Sequence, residues 1–167
     1  MSFTTAQKIT TTTPFDYVGV FVNSPVATVV EYAKELQLTA VQLHGDEDQQ
    51  YITELRNELP VSCAIWLALG IGKTVPEHSF EHVDLLLCDC QTESAKGGTG
   101  EQFAWELLEQ IDSSINIGLA GGLSPDNINQ ALHTNSHLLD VNSGVESAPG
   151  HKDATQVDAL FAQLRRY

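Results

Sequence analysis

The stretch YVGVFVNSPVATVVEYAKEL, residues 17–36, decides the fold class. Residues 17–22 form a continuous run rich in β-branched and aromatic side chains, which predicts a strand buried on both faces. Residues 26–36 place Val29, Val30 and Ala33 on one face of a helix, and Pro25 suits the first helical turn. The stretch therefore predicts a strand followed by an amphipathic helix, which is one βα unit.

The same alternation continues along the chain. Apolar runs predict strands at residues 40–43, 62–69, 83–88, 115–120 and 138–141. Helical spacing predicts helices at residues 46–59, 74–80, 103–111, 124–132 and 153–165, of which 74–80 is short. Ser124 is the expected N-cap of the helix at 124–132. Six βα units without a linker predict a parallel sheet, either open or closed into a barrel.

Two features favour the barrel. Polar or glycine-containing segments follow nearly every predicted strand, and the loops after the last two strands are both glycine-rich, as in the phosphate sites of such barrels. An open doubly wound domain that binds a nucleotide is the alternative, but no G-x-G-x-x-G follows the first strand. Because a complete (β/α)₈ barrel usually has about 250 residues, the 167 residues predict a single incomplete TIM-barrel domain, residues 1–167.

The charge balance restricts the classes of partner. The formal net charge is −14, from 22 acidic and 8 basic residues. Such a surface repels nucleic-acid backbones and anionic lipids, so we expect neither as a partner. No apolar run reaches the about 20 residues that span a bilayer, and the first residues are not those of a signal peptide, so we expect a cytoplasmic protein. Binding of a phosphorylated small molecule would require backbone N–H groups to supply much of the positive potential.

Two of the three cysteines are expected to be core residues. Cys63, Cys88 and Cys90 are odd in number and have no neighbouring ligand cluster, which favours neither disulfides nor a metal site. Cys63 and Cys88 lie in apolar runs, as buried reduced thiols do.

Two glycine loops are candidates for a phosphate site. Gly121-Gly122 precedes a predicted helix, and Ser143-Gly144 follows the last predicted strand. Glycine lets backbone N–H groups approach an anion closely, although each loop alone is more typical of a tight turn. Two such loops arriving from neighbouring strand ends favour the phosphate site.

Other polar residues also follow predicted strands. Asp89 follows an apolar strand, where a partly desolvated carboxyl would suit a general acid, although on the residues alone a helix-capping or loop-bracing role is the more common one. His44 either contacts substrate or hydrogen-bonds to a neighbouring loop. The segment 96–100, KGGTG, does not have the order of a P-loop and is expected to form a mobile flap.

Taken in order, these segments resemble the phosphoribosylanthranilate isomerase family, most closely the isomerase half of bacterial enzymes fused to indole-glycerol-phosphate synthase. The resemblance runs from about Thr4 to Tyr167. The matching stretches are VGVFVN at 18–23, VQLHG at 41–45, GGTG at 97–100 with Phe103 and Trp105, LAGGL at 119–123 with Pro125 and Asn127, DVNSGVE at 140–146, PG at 149–150 and KD at 152–153.

The resemblance implies an Amadori rearrangement of N-(5′-phosphoribosyl)anthranilate to the 1-deoxyribulose 5-phosphate isomer in tryptophan biosynthesis, without metal or cofactor. In the family an aspartate protonates the ribose ring oxygen and a cysteine removes the C2 proton. The implied roles are general acid for Asp89, substrate binding for Gln42, His44 and Asp140, and phosphate binding for Gly121, Gly122, Ser143 and Gly144.

The sequence departs from the family in several places. The cysteine, expected in a Lys-x-Cys-Gly motif at the end of the first barrel strand, has no counterpart, and neither has an arginine after the second strand. Residues 3–12 resemble the family's second helix, so we expect the chain to lack the first βα unit and the second strand. Leu67 stands where a lysine often follows an aromatic residue, and Ala104 replaces the aspartate of a Phe-Asp-Trp motif.

These departures predict that the isolated chain shows no isomerase turnover. The alternative function is an inactive barrel fragment that binds a phosphorylated ligand or pairs with a chain supplying the missing strands. Exposed barrel edges also predict self-association or complementation.

Overall fold

A computed structural model describes residues 1–92, 95–96 and 103–165. The chain divides into two compact units. The first unit comprises Met1–Ala68 with Ser79–Leu85, and the second comprises Leu69–His78 with Leu86–Tyr167.

The first unit consists of βα units that follow a helix. Its elements are α1 (Phe3–Thr12), β1 (Val18–Phe21), α2 (Val26–Glu35), β2 (Ala40–Leu43), α3 (Gln49–Glu58) and the start of β3 (Ala64–Ile71). β1 pairs in parallel with β2, and β2 pairs in parallel with β3, so that Val20, Gln42 and Trp66 lie in register. The strand–helix alternation predicted for residues 17–59 is confirmed here, and residues 3–12 are helical.

The second unit repeats the pattern with shorter elements. These are β4 (Leu85–Thr92), β5 (Ala95–Lys96), a 3-10 helix (Trp105–Gln110), β6 (Ile117–Leu119), α4 (Ile128–Ala131), β7 (Leu138–Leu139), a 3-10 turn (Ser143–Val145), β8 (Glu146–Ala148), β9 (His151–Lys152) and α5 (Ala154–Leu164). β6 pairs in parallel with β4 and with β7, whereas β5 pairs antiparallel with β4, and β8 with β9. The described residues thus contain six strands in parallel pairings, which confirms the α/β class.

Each unit has its own apolar core. In the first, the helix-facing sides of the strands and the inner faces of α2 and α3 provide fully buried side chains: Val29, Val41, Leu43, Ile52, Leu55 and Ile65. In the second, the buried set includes Leu86, Cys88, Leu119, Ile128 and Leu160. Burying an aliphatic side chain contributes about 1.5–3 kcal/mol, so these positions hold the strands under the helices.

The prediction that β1 is buried on both faces is wrong. Phe21 is buried and its ring meets that of Tyr32 on α2 edge to face, with 6.0 Å between ring centroids. Because successive side chains in a strand point to opposite faces, Val20 and Val22 lie on the other face, and each is 60% exposed. The apolar run therefore marks a strand that is covered on its helix side only.

The helix predicted at 74–80 is absent from the described structure. Residues 75–80 have no regular secondary structure. Pro76 has no backbone N–H to donate, and it disfavours the helical conformation of Val75 before it.

The helix predicted at 124–132 is reduced to the four residues of α4, and Ser124 is not its N-cap. The Asn127 side chain accepts the Ser124 N–H at 2.9 Å and donates to the Gly122 carbonyl at 2.8 Å. These bonds fold residues 125–127 into a turn, because asparagine side chains compete for backbone groups at helix starts. Likewise the helix predicted at 103–111 is a 3-10 helix without a side-chain cap.

Several boundaries also differ. β3 runs two residues beyond its predicted end, β4 extends past Asp89 to Thr92, and β7 ends at Leu139 rather than at residue 141. α3 begins at Gln49 because Asp48 is its N-cap and accepts the Tyr51 N–H at 2.8 Å. No helix in the described part of the chain is long and apolar enough to cross a membrane.

Candidate active site

Gln42 and His44 are brought together at the carboxyl end of β2. Gln42 is 7% exposed, and its Nε2 lies 2.9 Å from Nδ1 of His44, which is half-buried. The backbone N–H of His44 donates to the carbonyl of Phe21 at 2.9 Å, so the β1–β2 ladder extends to this residue. The side chains of Gln42 and His44 therefore point to the same face of the sheet as Val20.

A carboxylate holds the loop that carries His44. Glu47 is 9% exposed and accepts the N–H of Gly45 at 2.8 Å and the N–H of Asn23 at 2.7 Å. Asn23 has a positive φ of 49°, and its side-chain Oδ1 accepts the Asp46 N–H at 2.8 Å. A side chain on Gly45 would collide with the Asn23 amide. The loops after β1 and β2 are thus joined at the base of His44.

Asp89 lies within β4 rather than after it, which corrects the predicted strand end. The parallel ladder with β6 stops beside it, since Cys88 pairs with Leu119 and its carbonyl accepts the N–H of Ala120 at 2.8 Å. Asp89 is half-buried, and its Oδ1 accepts the N–H of Cys90 at 2.8 Å. Its carboxyl therefore stands where parallel pairing ends, at the strand end at which sites of this architecture form.

The loop after β6 passes directly over Asp89. Gly121 has a φ of +82°, and a Cβ built on it would lie 2.7 Å from Oδ1 of Asp89 and 2.8 Å from the Cys90 nitrogen. Glycine is required here for both the backbone conformation and the close approach. Gly122 follows with a φ of +64°, and its carbonyl accepts the Asn127 amide.

The loop after β7 packs against the loop after β6. A Cβ on Gly144 would collide with the carbonyl oxygen of Leu123. The backbone N–H groups of Gly121, Leu123, Ser143 and Gly144 donate to no acceptor within the described residues. Ser143 is exposed, and Gly121 and Gly144 are half-buried, so an anion can reach these N–H groups and accept from them.

Asp140 lies just beyond β7, on the exposed surface. Its backbone N–H donates to the carbonyl of Leu119 at 2.8 Å, which fixes it beside the end of β6. Gln42 and His44 lie in the first unit, whereas Asp89, Asp140 and the two glycine loops lie in the second. The flap segment lies outside the described residues from Gly97 to Gly100.

Cys63 and Cys88 are core residues, as expected, and Cys90 is buried as well. Cys63, Cys88 and Cys90 are 1%, 0% and 7% exposed. Burial raises the pKa of the Cys88 thiol to about 12 and also raises that of Cys63. Neither thiol is suited to supply a thiolate near neutral pH. Within the described ranges, no three His, Cys, Asp or Glu side chains are grouped as ligands for a metal ion.

Sequence reasoning assigned no role to Glu47 or to Lys152. Glu47 follows His44 by three residues in the run HGDE, and Lys152 follows the PG pair at 149–150. The position of Glu47 close to a histidine at a strand end could have indicated its role. The contacts of Lys152 depend on a β-hairpin that the residue pattern did not predict.

The chain matches the family model of N-(5′-phosphoribosyl)anthranilate isomerase over residues 1–163. It is 49% identical over 154 residues to the tryptophan biosynthesis protein TrpCF of Vibrio cholerae, which is 92% of this chain and 32% of that protein. It is 42% identical over 156 residues to the N-(5′-phosphoribosyl)anthranilate isomerase of Gloeothece citriformis, covering 91% of this chain and 71% of the relative. The chain thus spans about a third of the length of the TrpCF relative.

Solved structures agree with these relatives. The phosphoribosylanthranilate isomerase of Thermus thermophilus superimposes with a TM-score of 0.81 at 31% identity, covering 99% of this chain and 80% of that one. A phosphoribosylanthranilate isomerase solved with reduced 1-(o-carboxyphenylamino)-1-deoxyribulose 5-phosphate has a TM-score of 0.77 at 25% identity, covering 100% and 81%.

Proposed function

This chain belongs to the N-(5′-phosphoribosyl)anthranilate isomerase family, and we propose that its residues serve the Amadori rearrangement of N-(5′-phosphoribosyl)anthranilate in tryptophan biosynthesis. The observation that carries the proposal is the half-buried Asp89 under Gly121, next to two loops in which the backbone N–H groups of Gly121, Ser143 and Gly144 have no acceptor in the described residues.

The proposed phosphate ligands are backbone groups of Gly121, Gly122, Ser143 and Gly144. Backbone N–H groups bind an anion without adding a cation, which suits a chain with a formal charge of −14. The four-residue α4 adds little dipole, so backbone N–H groups of the two loops, among them those of Gly121, Ser143 and Gly144, supply the attraction. The complex of a relative with a phosphorylated compound supports a phosphorylated small molecule as the ligand.

The proposed role of Asp89 is general acid. A proton passes from its carboxyl to the ribose ring oxygen, the bond from that oxygen to C1 breaks, and the nitrogen lone pair forms the C=N bond. Loss of the C2 proton then gives an enolamine, and protonation at C1 together with loss of the C2 hydroxyl proton gives the ketone isomer. Each proton transfer from a positioned group contributes about 10² to 10⁴ in rate, so Asp89 accounts for the first step only.

The second step needs a general base, and none of the three cysteines, all of which lie in the described part of the chain, is suited to that role. Cys63 and Cys88 are buried and protonated, and Cys90 is also buried. The chain alone is therefore expected to bind ligand without turnover. Membership of the isomerase family favours the isomerase function over the alternative of an inactive binding fragment. The two glycine loops are explained by that membership, so they do not require the alternative.

Gln42, His44 and Asp140 are proposed to contact the substrate. Gln42 and His44 are polar groups on an otherwise apolar strand face, held by each other and by the Glu47 loop. The six parallel strands support the finer proposal that the chain contains about six of the eight βα units of one TIM-barrel domain, as does its 80% coverage of a solved isomerase. A cytoplasmic location stays a prediction.

Calorimetric titration with reduced 1-(o-carboxyphenylamino)-1-deoxyribulose 5-phosphate and with inorganic phosphate tests the proposal. We expect both to bind, the reduced compound more tightly, and we expect each to raise the melting temperature through binding to the folded state. No binding of either compound at millimolar concentration would refute the phosphate site.

Turnover is measured by NMR in D₂O, because the rearrangement removes the C2 proton of the sugar and adds a hydrogen at C1, where deuterium from the solvent is detected. We expect no conversion by the chain alone. Conversion at the rate of a complete enzyme, abolished by Asp89→Asn but retained in the matched surface variant Asp158→Asn, would show that another base serves the second step.

A further inference from the structure

Lys152 has all three of its ammonium donors occupied by the residues that flank the second glycine loop, Asn142 before it and Glu146 after it. Its Nζ donates to the carbonyl oxygen of Asn142 at 2.8 Å, to Oδ1 of the same residue, and to Oε1 of Glu146 at 2.7 Å. An ammonium has three N–H donors. Lys152 is therefore satisfied by protein oxygens and is not presented as a direct ligand for an anion.

Glu146 holds Lys152 in this position. The two residues are cross-strand partners in the β8–β9 hairpin, and the other carboxylate oxygen of Glu146 accepts the Gly150 N–H at 3.0 Å. The side chain of Glu146 is 13% exposed, against 48% for Lys152. The hairpin is anchored to the loop, since the Asp153 N–H donates to the Val145 carbonyl at 2.8 Å.

The contact with Asn142 sets the direction of the next N–H group. A trans peptide is planar, and its C=O and N–H point to opposite sides; the chain has no cis peptide in the part described. Because the Asn142 carbonyl is directed at Lys152, the N–H of Ser143 emerges on the far side of the same peptide plane. That N–H has no acceptor within the described residues.

We infer that Lys152 and Glu146 are positioning residues that orient the Asn142–Ser143 peptide so that the Ser143 N–H is presented to the phosphate group of the ligand. This inference rests on the proposed phosphate site and deepens it. Lys152 thus acts through the peptide it binds, and Glu146 acts through Lys152.

The sign of one substitution separates this arrangement from simple electrostatics. Glu146→Gln removes a negative charge close to an anion site, which by Coulomb's law favours phosphate binding. If Glu146 positions Lys152, the same substitution weakens binding, because the amide does not hold both the ammonium and the Gly150 N–H as the carboxylate does. Asp158→Asn on α5 removes the same charge from an exposed surface and serves as the matched control.

The test is titration of the 167-residue chain with inorganic phosphate, followed by calorimetry and by the amide resonances of Ser143 and Gly144. We expect the Kd to rise about tenfold in Glu146→Gln and in Lys152→Met, the lower end of the effect of removing outer partners of a binding site. The Ser143 amide resonance should also shift in both variants before phosphate is added. Lys8→Met, which removes an exposed charge from α1, should change neither quantity.

Four results overturn the inference. Unchanged or tighter binding by Glu146→Gln would show that the carboxylate acts only as a charge. Weaker binding by Lys152→Met without a shift of the free Ser143 amide would make Lys152 a direct ligand. If the wild-type chain binds phosphate and both variants have the same Kd, the inference alone is refuted. If the wild-type chain does not bind phosphate, the proposed phosphate site is refuted and this inference with it.

Discussion

The carboxylate of Glu47 accepts backbone N–H groups from two different loops, at 2.7 Å from Asn23 and 2.8 Å from Gly45. The N–H groups of Asn23 and Gly45 lie outside the helices and strands, so the Glu47 carboxylate accepts the hydrogen bonds that a backbone carbonyl would accept in regular secondary structure. A hydrogen bond to a charged group contributes about 1.5–3 kcal/mol. One side chain therefore fixes the loops that flank His44.

We expect Glu47→Ala to lower the free energy of unfolding by about 1–3 kcal/mol, since both part-buried donors lose their charged acceptor. Urea unfolding measures the change, and the His44 ring resonances report the loss of loop order. Glu54→Ala, an exposed carboxylate on α3, is the control and should change stability by less than about 0.5 kcal/mol. Equal stabilities for the two variants would contradict the role given to Glu47.

Cys88 makes stability depend on alkaline pH. Burial raises the pKa of its thiol from 9.0 to about 12 in the folded chain. Above pH 9 the unfolded thiol loses its proton while the folded one keeps it, so the folded state binds more protons and stability falls as pH rises. Acting as a small apolar residue, Cys88 is stabilising at neutral pH and loses that contribution between pH 9 and 12.

The corresponding measurement is the free energy of unfolding at pH 7.5 and at pH 9.5 in wild type and in Cys88→Ala. The alanine variant has no thiol to titrate at this position, so the decrease between the two pH values should be smaller than in wild type. An equal decrease in both proteins would show that other groups, such as Tyr51 with its pKa raised to about 12, account for the effect.

At the scale of elements, the second unit depends on loops that pack against each other rather than on long helices. Gly144 lies so close to the carbonyl of Leu123 that no side chain fits, and Ser124 Cα is 3.0 Å from the position of a Cβ. Backbone atoms on both sides leave little room to adjust. The loop after β7 therefore keeps its position by contact with the loop after β6.

Gly144→Ala should destabilise the chain by about 1–3 kcal/mol, as overpacking does, and remove the melting-temperature rise caused by phosphate. Gly150→Ala is the comparison for stability alone. Gly150 has a φ of +78° and no atom within 4 Å of a Cβ, so only the left-handed conformation costs energy, about 1–2 kcal/mol. Gly144→Ala with wild-type stability and an unchanged phosphate response would contradict the packing argument.

The sequence predicted those elements whose signals are local. α2 begins at Val26 as the apolar spacing indicated, and Asp153 caps α5 by accepting the N–H groups of Thr155 and Gln156. The helix expected from Ser124 failed because the Asn127 side chain took the Ser124 N–H. That choice depends on the Gly122 carbonyl being within reach, a tertiary condition that residue spacing does not contain.

The candidate site divides in the same way. The residue types and their strand-end positions identified Asp89 and both glycine loops as candidates. The sequence did not contain the approach of Gly121 to the Asp89 carboxyl, or the contacts of Lys152. Both depend on the register between strands and on a two-residue hairpin pairing, which are set by packing across the unit.

At the scale of the whole molecule, two effects oppose each other. Val20 on β1 and Val22 just after it are each 60% exposed. In the described part of the first unit β1 pairs with β2 alone, and an unpaired strand edge with an apolar face favours association with another chain. The formal charge of −14 opposes the approach of a second copy. Salt screens such repulsion, with a Debye length of about 10 Å at 0.1 M, while leaving apolar contact intact.

We therefore expect the average mass in sedimentation experiments to rise with protein concentration, and to rise further when sodium chloride is added, because the opposing repulsion is screened. Val20→Glu combined with Val22→Glu should shift the protein towards monomer. Val61→Glu is the matched control, since Val61 is 99% exposed but lies outside β1. A monomer at all concentrations would show that the β1 edge does not drive association. If Val61→Glu had the same effect as the double variant, association would depend on general surface hydrophobicity rather than on this strand.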